Sequence, residues 1–171
     1  MLLELRIQDL AVLRDLKLRL EPGLNVLTGE TGAGKSILVG GLSLLLGERA
    51  DSEAVRVGAD RARIEAVFDL GALPELRARL EEEGFPDEDG LLYLRREVQR
   101  EGRNRAWING SPAPAGVVGR FGRALVDLHG QHAHQTLLAA GEQRRILDAF
   151  AGADAAARRV REAHAGVEAL R

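Results

Sequence analysis

The sequence predicts an α/β fold built on a mixed or antiparallel sheet. Three observations carry that prediction. Two stretches near the start alternate apolar and polar residues with a period of two. A glycine-rich turn then joins a short apolar run to an apolar, helix-like segment. From residue 153 onward the chain becomes Ala-, Arg- and Glu-rich with heptad spacing.

Leu3, Leu5 and Ile7 alternate with Glu4, Arg6 and Gln8, and Leu16, Leu18 and Leu20 alternate with Lys17 and Arg19, the pattern of half-buried strands. Glu21, Pro22 and Gly23 signal a turn, after which residues 24–28 read as a short, more fully buried strand. Residues 36–46 are apolar almost all round, as in a helix buried against a sheet. The Gly40-Gly41 pair costs that helix roughly 2 kcal/mol, which points to a close backbone approach there. Gly47 is its natural stop. Residues 62–70 read as a strand and 73–83 as an exposed helix with Pro74 near its start. Residues 91–98 and 105–109 read as a hairpin, 124–129 as a further buried strand, and 141–150 as a helix. In the last segment Ala153, Val160 and Val167 share one heptad position, and Ala156, Ala163 and Leu170 the other. The expected division is a first domain over residues 1–150 and the start of a coiled-coil arm over 151–171. An ordinary amphipathic helix is the alternative for the second part.

The chain has 171 residues, the size of one ordinary domain, and its 45% hydrophobic and 29% charged residues are a globular composition. Lys and Arg number 24 against 26 Asp and Glu, for a formal net charge of -2. This balance argues against a surface that is cationic throughout, while leaving room for a local basic patch. With no cysteine, disulfides, thiolate nucleophiles and Cys-based zinc sites are excluded. The longest apolar run, 37–46, is far too short for a membrane span, and the first residues lack a secretory pattern. The expected location is cytoplasmic. Only Lys17 and Lys35 are lysines; the other 22 basic residues are arginines.

Gly29, Glu30, Thr31, Gly32, Ala33, Gly34, Lys35 and Ser36 match the Walker A pattern in full, between an apolar run and a helix. On the order of 0.001 chance matches are expected for a chain of this composition. The glycines let successive N–H groups curl toward phosphate oxygens, and the helix N-terminus adds its positive dipole end. Lys35 is placed for the β- and γ-phosphates and the Ser36 hydroxyl for Mg²⁺, with Ile37 next along the helix. A compact ammonium on a flexible stem suits that task better than a planar guanidinium. A dinucleotide fingerprint fails, because Ile37 stands where its third glycine belongs. The ligand expected is ATP with Mg²⁺.

His129, His132 and His134 surround Gly130, Gln131, Ala133 and Gln135 just after the apolar run that ends at Leu128. Zinc would need Asp127 or a distant histidine as a fourth ligand. The alternatives are a hydrogen-bonded loop, or a loop whose Gln131 approaches the magnesium and the γ-phosphate. A second cluster holds Arg95, Arg96, Arg100, Arg103 and Arg105, followed by Trp107 and offset in part by Glu97 and Glu101. Arginines beside an aromatic can bind phosphates and stack on bases, so all five are candidate DNA contacts. They can equally form the wet face of a hairpin, the reading composition favours.

On its opening residues 5–13, the Walker loop, the stretch 102–110 and the segment 125–132 with its His-Gly-Gln-His loop, the chain closely resembles the RecN family. These are bacterial DNA double-strand-break repair ATPases related to the SMC (structural maintenance of chromosomes) proteins. The resemblance implies an ABC-type ATPase head split by a long antiparallel coiled coil. The chain would be the N-terminal lobe of that head plus the first part of the coil. Gln131 matches the Q-loop glutamine, a catalytic position beside Lys35 and a second magnesium contact beside Ser36, with Gln135 a weaker match. The signature motif, Walker B acids and switch histidine belong to the C-terminal head segment. The implied partners are that segment, a second head and DNA, and the implied location is nucleoid-associated. ATP-driven head closure would then change how the coils hold DNA or bridge its ends. Two other readings stand beside this one: a self-contained P-loop phosphotransferase such as a small kinase, and a non-catalytic DNA- or metal-binding module.

Overall fold

The computed structural model describes residues 1–29, 34–128 and 140–169. They fall into two compact units, Met1–Asp127 and Leu128–Arg171, a division earlier along the chain than the expected 150/151 boundary.

In the first unit, six described strands form one sheet in the order β2-β1-β3-β4-β5-β6. They are β1 (Leu2–Leu10), β2 (Leu13–Arg19), β3 (Arg61–Asp69), β4 (Leu91–Gln99), β5 (Arg105–Ile108) and β6 (Ser111–Pro112). Every pairing is antiparallel. Strand alternation sets the faces: Leu5 and Ile7 of β1, Ile64 and Phe68 of β3, Leu92 and Leu94 of β4 and Ile108 of β5 all point into one buried core. Helices α1 (Gly34–Leu45), α2 (Pro74–Glu82) and α3 (Ala115–Arg123) add Leu44, Leu45, Leu76, Leu80, Val118 and Phe121 to it. The opposite sheet face carries the polar set.

Two expected strands are corrected. Residues 24–28 and 124–128 form no strand in the structure. A strand exists only where a neighbour takes up its N–H and C=O groups, and among the described residues neither segment joins the sheet. The apolar run 24–28 lies open to solvent, with Leu24 91% and Val26 70% exposed. Leu125 and Val126 rest part-buried against the core instead.

Helix α3 has no counterpart in the sequence reading, because its Gly116, Gly119 and Gly122 depress helix propensity. Packing explains two of the three. A Cβ on Gly119 would lie 2.7 Å from Gly47 Cα and from the Leu46 carbonyl oxygen, and one on Gly122 2.9 Å from Leu46 Cδ2. The α3 backbone thus lies directly on the end of α1. The close approach expected at the Gly40-Gly41 pair is real at Gly41, where a Cβ would meet Ile7 Cδ1 at 2.6 Å; at Gly40 the space is open.

The second unit holds α4 (Ala140–Phe150) and α5 (Asp154–Glu168), joined through Gly152 in the left-handed region at φ 63°. Val160 and Val167 of the heptad seam, like Ile146, Leu147 and Phe150 of α4, are exposed.

Gly119→Ala should lower stability by about 2 kcal/mol, since backbone on the facing side cannot yield. Gly116→Ala in the same helix, with open space around it, should be neutral or slightly stabilising. Urea unfolding of the pair checks this. A second expectation concerns acid. The Lys17 ammonium holds the Glu4 carboxyl below its ordinary pKa, the Arg6 guanidinium does the same for Asp15, and Arg77 for Asp87. Folded values below the unfolded ones mean stability fully present above the unfolded carboxylate pKa, near ~4, and lost as the pH falls through the folded values. The urea midpoint should therefore fall in that acid window, and Arg77→Ala should shallow the fall.

Candidate nucleotide-binding site

The described residues at either end of the Walker pattern are Gly29 and the first turn of α1. Gly29 turns the chain at φ 156°, and α1 starts at Gly34 with no acidic residue in its first turn. Among the described residues, that first turn brings no carboxylate of its own to its N–H groups. Lys35 bends back and donates from Nζ to the Gly29 carbonyl. Gly34 and Ser36 are exposed, and Ile37 is part-buried against the core. Residues Glu30, Thr31, Gly32 and Ala33 lie outside the described residues. An exposed first helical turn, an ammonium turned back to Gly29 and a first-turn hydroxyl fit a polyphosphate with its divalent cation. Lys35 would take the phosphate charge and Ser36 the cation.

The far end of the same helix is fixed from two sides. Arg96 on β4 is 5% exposed and donates from Nη1 to the carbonyl of Leu44. Arg123 at the end of α3 donates from Nη1 to the carbonyl of Leu46 at 2.7 Å. Both place positive charge at the negative end of the helix, where carbonyls lack helical partners. Burial pulls the Arg96 pKa below its ordinary value. Gly47, at φ 97°, ends the helix under Gly119. Neither arginine's role was read from sequence; for Arg96 the available signal was its inward position in the alternation of β4.

The arginine cluster is divided among three environments. Arg96 faces the core, and Arg100 is occupied by carbonyls, Nε donating to Ala59 at 2.9 Å and Nη2 to Val55 and Arg56 at 3.0 and 2.7 Å. Arg96, expected as a candidate DNA contact, is structural, its buried guanidinium withheld from a surface ligand; Arg100 is exposed, with its N–H groups on loop carbonyls. Arg95 lies on the outer sheet face with its guanidinium 3.9 Å from the centre of the Trp107 ring. Arg105 is on that face too, opposite Glu97, and Arg103 is exposed in the turn between β4 and β5. The histidine loop, with Gln131, Gln135, His129, His132 and His134, lies outside the described residues. Among those described, no group of three His, Asp or Glu is placed to hold a metal. None of the described helices is long and apolar enough to cross a membrane.

The architecture matches solved SMC heads. An Smc head domain with a coiled coil and joint from Pyrococcus yayanosii superposes with a TM-score of 0.59 at 20% identity, over 99% of this chain and 36% of that one. A chain from a structural study of ATP-driven dimerization and DNA-stimulated activation of SMC ATPases gives 0.58 at 21%, over 86% of this chain and 97% of that one. The recombination mediator RecF with ATP gives 0.52 at 17%, over 69% and 30%. The AAA domain family matches residues 4–86. The fold is thus the α/β lobe seen in these head domains, with the Walker pattern at the start of α1.

Within that class, the chain is RecN-like. It is 45% identical to the DNA repair protein RecN of Halalkalibacterium halodurans over 152 residues, 89% of this chain and 27% of that protein. It is 41% identical to RecN of Xylella fastidiosa, over 99% and 30%, and 39% to RecN of Bacillus subtilis, over 90% and 27%. The chain thus spans under a third of the length of these relatives.

Arg96→Ala should cost about 3 kcal/mol, through a cavity and the loss of the guanidinium bond to the Leu44 carbonyl, which keeps only its bond from the Gly47 N–H. Arg96→Met, which refills the volume, should recover part of it. Thermal unfolding of both variants checks the order.

Proposed function

We propose that the chain is the nucleotide-binding lobe of an SMC-type ATPase head in a RecN-like DNA repair protein. The observation that carries the reading is Lys35, in the first turn of α1, whose Nζ donates back to the Gly29 carbonyl at the other end of the Walker pattern. ATP binds with its phosphates on the loop from Gly29 to Ser36, Lys35 balancing the β- and γ-phosphate charge. The Ser36 hydroxyl would hold Mg²⁺, and Gln131 is assigned to the same cation by its match to the Q-loop glutamine. The bound magnesium supplies charge neutralisation on the phosphates.

Hydrolysis also needs a carboxylate to position the attacking water, and in this reading it comes from the C-terminal head segment of the same protein. The exposed apolar residues Leu24, Val26 and Leu27 support that division. They read as a strand whose neighbour that segment supplies. Two heads then close on ATP, and closure is transmitted to the arm that begins with α5, whose exposed Val160 and Val167 await a second helix. DNA holding or end bridging follows from that movement.

Calorimetric titration should show Mg-ATP binding by this chain without turnover, and turnover on adding the C-terminal part of the full-length protein. Lys35→Ala should weaken ATP binding by about 30-fold or more, the scale of a lost charge pair, with an unchanged circular dichroism spectrum. Unchanged affinity in a folded Lys35→Ala variant would end the Walker assignment. Sustained turnover by the chain alone would point to a self-contained phosphotransferase.

A further inference from the structure

The six-stranded sheet ends on β6, two residues long, at one edge and on β2, seven residues long, at the other. Among the described residues, no strand pairs with the outer side of β2. Leu20 donates its N–H to the Leu3 carbonyl at 2.9 Å, so by alternation the main-chain groups of Leu18, Leu16 and Arg14 also turn toward β1. Those of Leu13, Asp15, Lys17 and Arg19 turn outward, a row of open donors and acceptors.

Open edges are ordinarily blunted by brevity, proline, a bulge or an inward-pointing charge. β6 is short and carries Pro112. β2 has no proline and pairs with β1 in unbroken register. At its middle it turns Leu16 and Leu18 to the core side, both only part-buried, while α1 packs over β1, β3 and β4. Its other side carries charge: Asp15 is held by Arg6 at 3.0 Å, and Lys17 by Glu4 at 2.9 Å.

We propose that β2 is a strand-addition site for the β2 of a second copy of this chain, paired antiparallel about a two-fold axis at Leu16. Outward main-chain groups meet outward groups only where odd-numbered residues face odd-numbered ones, which leaves few registers. Centred on Leu16, the whole strand pairs, and each Asp15 faces the second copy's Lys17. Centring on Asp15 would set that carboxylate against its own copy, and centring on Lys17 would do the same to the ammonium; like charges directly opposite are unfavourable. In the chosen register Arg6, Asp15, the second copy's Lys17 and its Glu4 alternate in sign across four strands. The two Leu16 side chains meet on the core side. So small an interface makes a weak, reversible pair, with a dissociation constant on the order of 100 µM. This contact needs no ATP; it goes beyond the nucleotide reading and does not rest on it.

The chain has no cysteine, so an introduced one reports alone. Leu16 faces its own copy in a non-hydrogen-bonded pair, where Cβ atoms stand about 5 Å apart and a disulfide nearly fits. In mild oxidant without nucleotide, Leu16→Cys should form a disulfide dimer about tenfold faster than Arg19→Cys, the gain expected of a thiol held beside its partner. The Arg19 side chain is 78% exposed, yet in this register its two copies lie about 20 Å apart. Random collision would favour the exposed site, so equal or faster cross-linking of Arg19→Cys would overturn the proposal. Adding Lys17→Glu, which sets two carboxylates against each other, should abolish the Leu16→Cys cross-link, and adding Asp15→Lys to that should restore it. An undiminished cross-link in the folded Lys17→Glu chain would also overturn the register. If either charge variant does not fold, the two cysteine variants decide alone. Loss of the Leu16→Cys cross-link in the full-length protein would give the edge to its C-terminal segment and end the proposal. Lys35→Ala should leave the cross-linking rate unchanged, so Mg-ATP binding tests the nucleotide reading separately.

Discussion

The clamp on the C-terminal end of α1 is the constraint from which the rest of the first unit follows. A helix that presents its N-terminus to an anion must leave its first turn bare, so it can be held only from its body and its far end. Here Gly41 brings the body against Ile7, and the far end lies under the glycines of α3. Arg96 and Arg123 then satisfy the Leu44 and Leu46 carbonyls. A buried guanidinium would ordinarily be costly. At this position the negative end of the helix replaces part of its lost hydration. β4 must run where it does to deliver Arg96, and α3 must carry glycine where a methyl group would push it off Gly47.

The sheet was largely legible in the sequence because alternation is a local property. Leu5 and Ile7 against Glu4 and Arg6, or Ile64 and Ala66 against Arg63 and Glu65, announce their faces without reference to any partner. Residues 24–28 were misread for the converse reason. Their apolar content records burial against something, but local pattern cannot say whether the burying surface lies in the same stretch of chain. Helix α3 was missed because propensity and packing disagree there: glycine weakens the helix in isolation, and only the approach of Gly47 makes it necessary.

The candidate sites differ in the same way. The Walker pattern is contiguous, so residue types and spacing alone single out Lys35 and Ser36. The arginine cluster is contiguous too, yet contiguity misled, because neighbours on a strand face opposite ways. Arg95 and Arg96 share a peptide bond and serve different surfaces, one on Trp107 and one on the end of α1. The companions of Arg95 on its own face are Arg61 and Arg63, more than thirty residues earlier, and only the pairing of β3 with β4 brings them together.

The bias toward arginine then has a physical meaning beyond charge. Arg100 reaches three carbonyls from two nitrogens of one rigid fork, and Glu97 is ringed by guanidinium groups from two strands. Each arrangement uses fixed, divergent donors that an ammonium lacks. Where the basic residue is part of the architecture, the planar fork serves best, because its donors cannot rotate away from the groups they hold. Lys35 has the opposite requirement. Its ammonium rests on the Gly29 carbonyl and, in the proposed function, would move to phosphate oxygens when nucleotide arrives. A single charge on four flexible carbons can make that move without disturbing the backbone beneath it, and a fork fastened at several points could not.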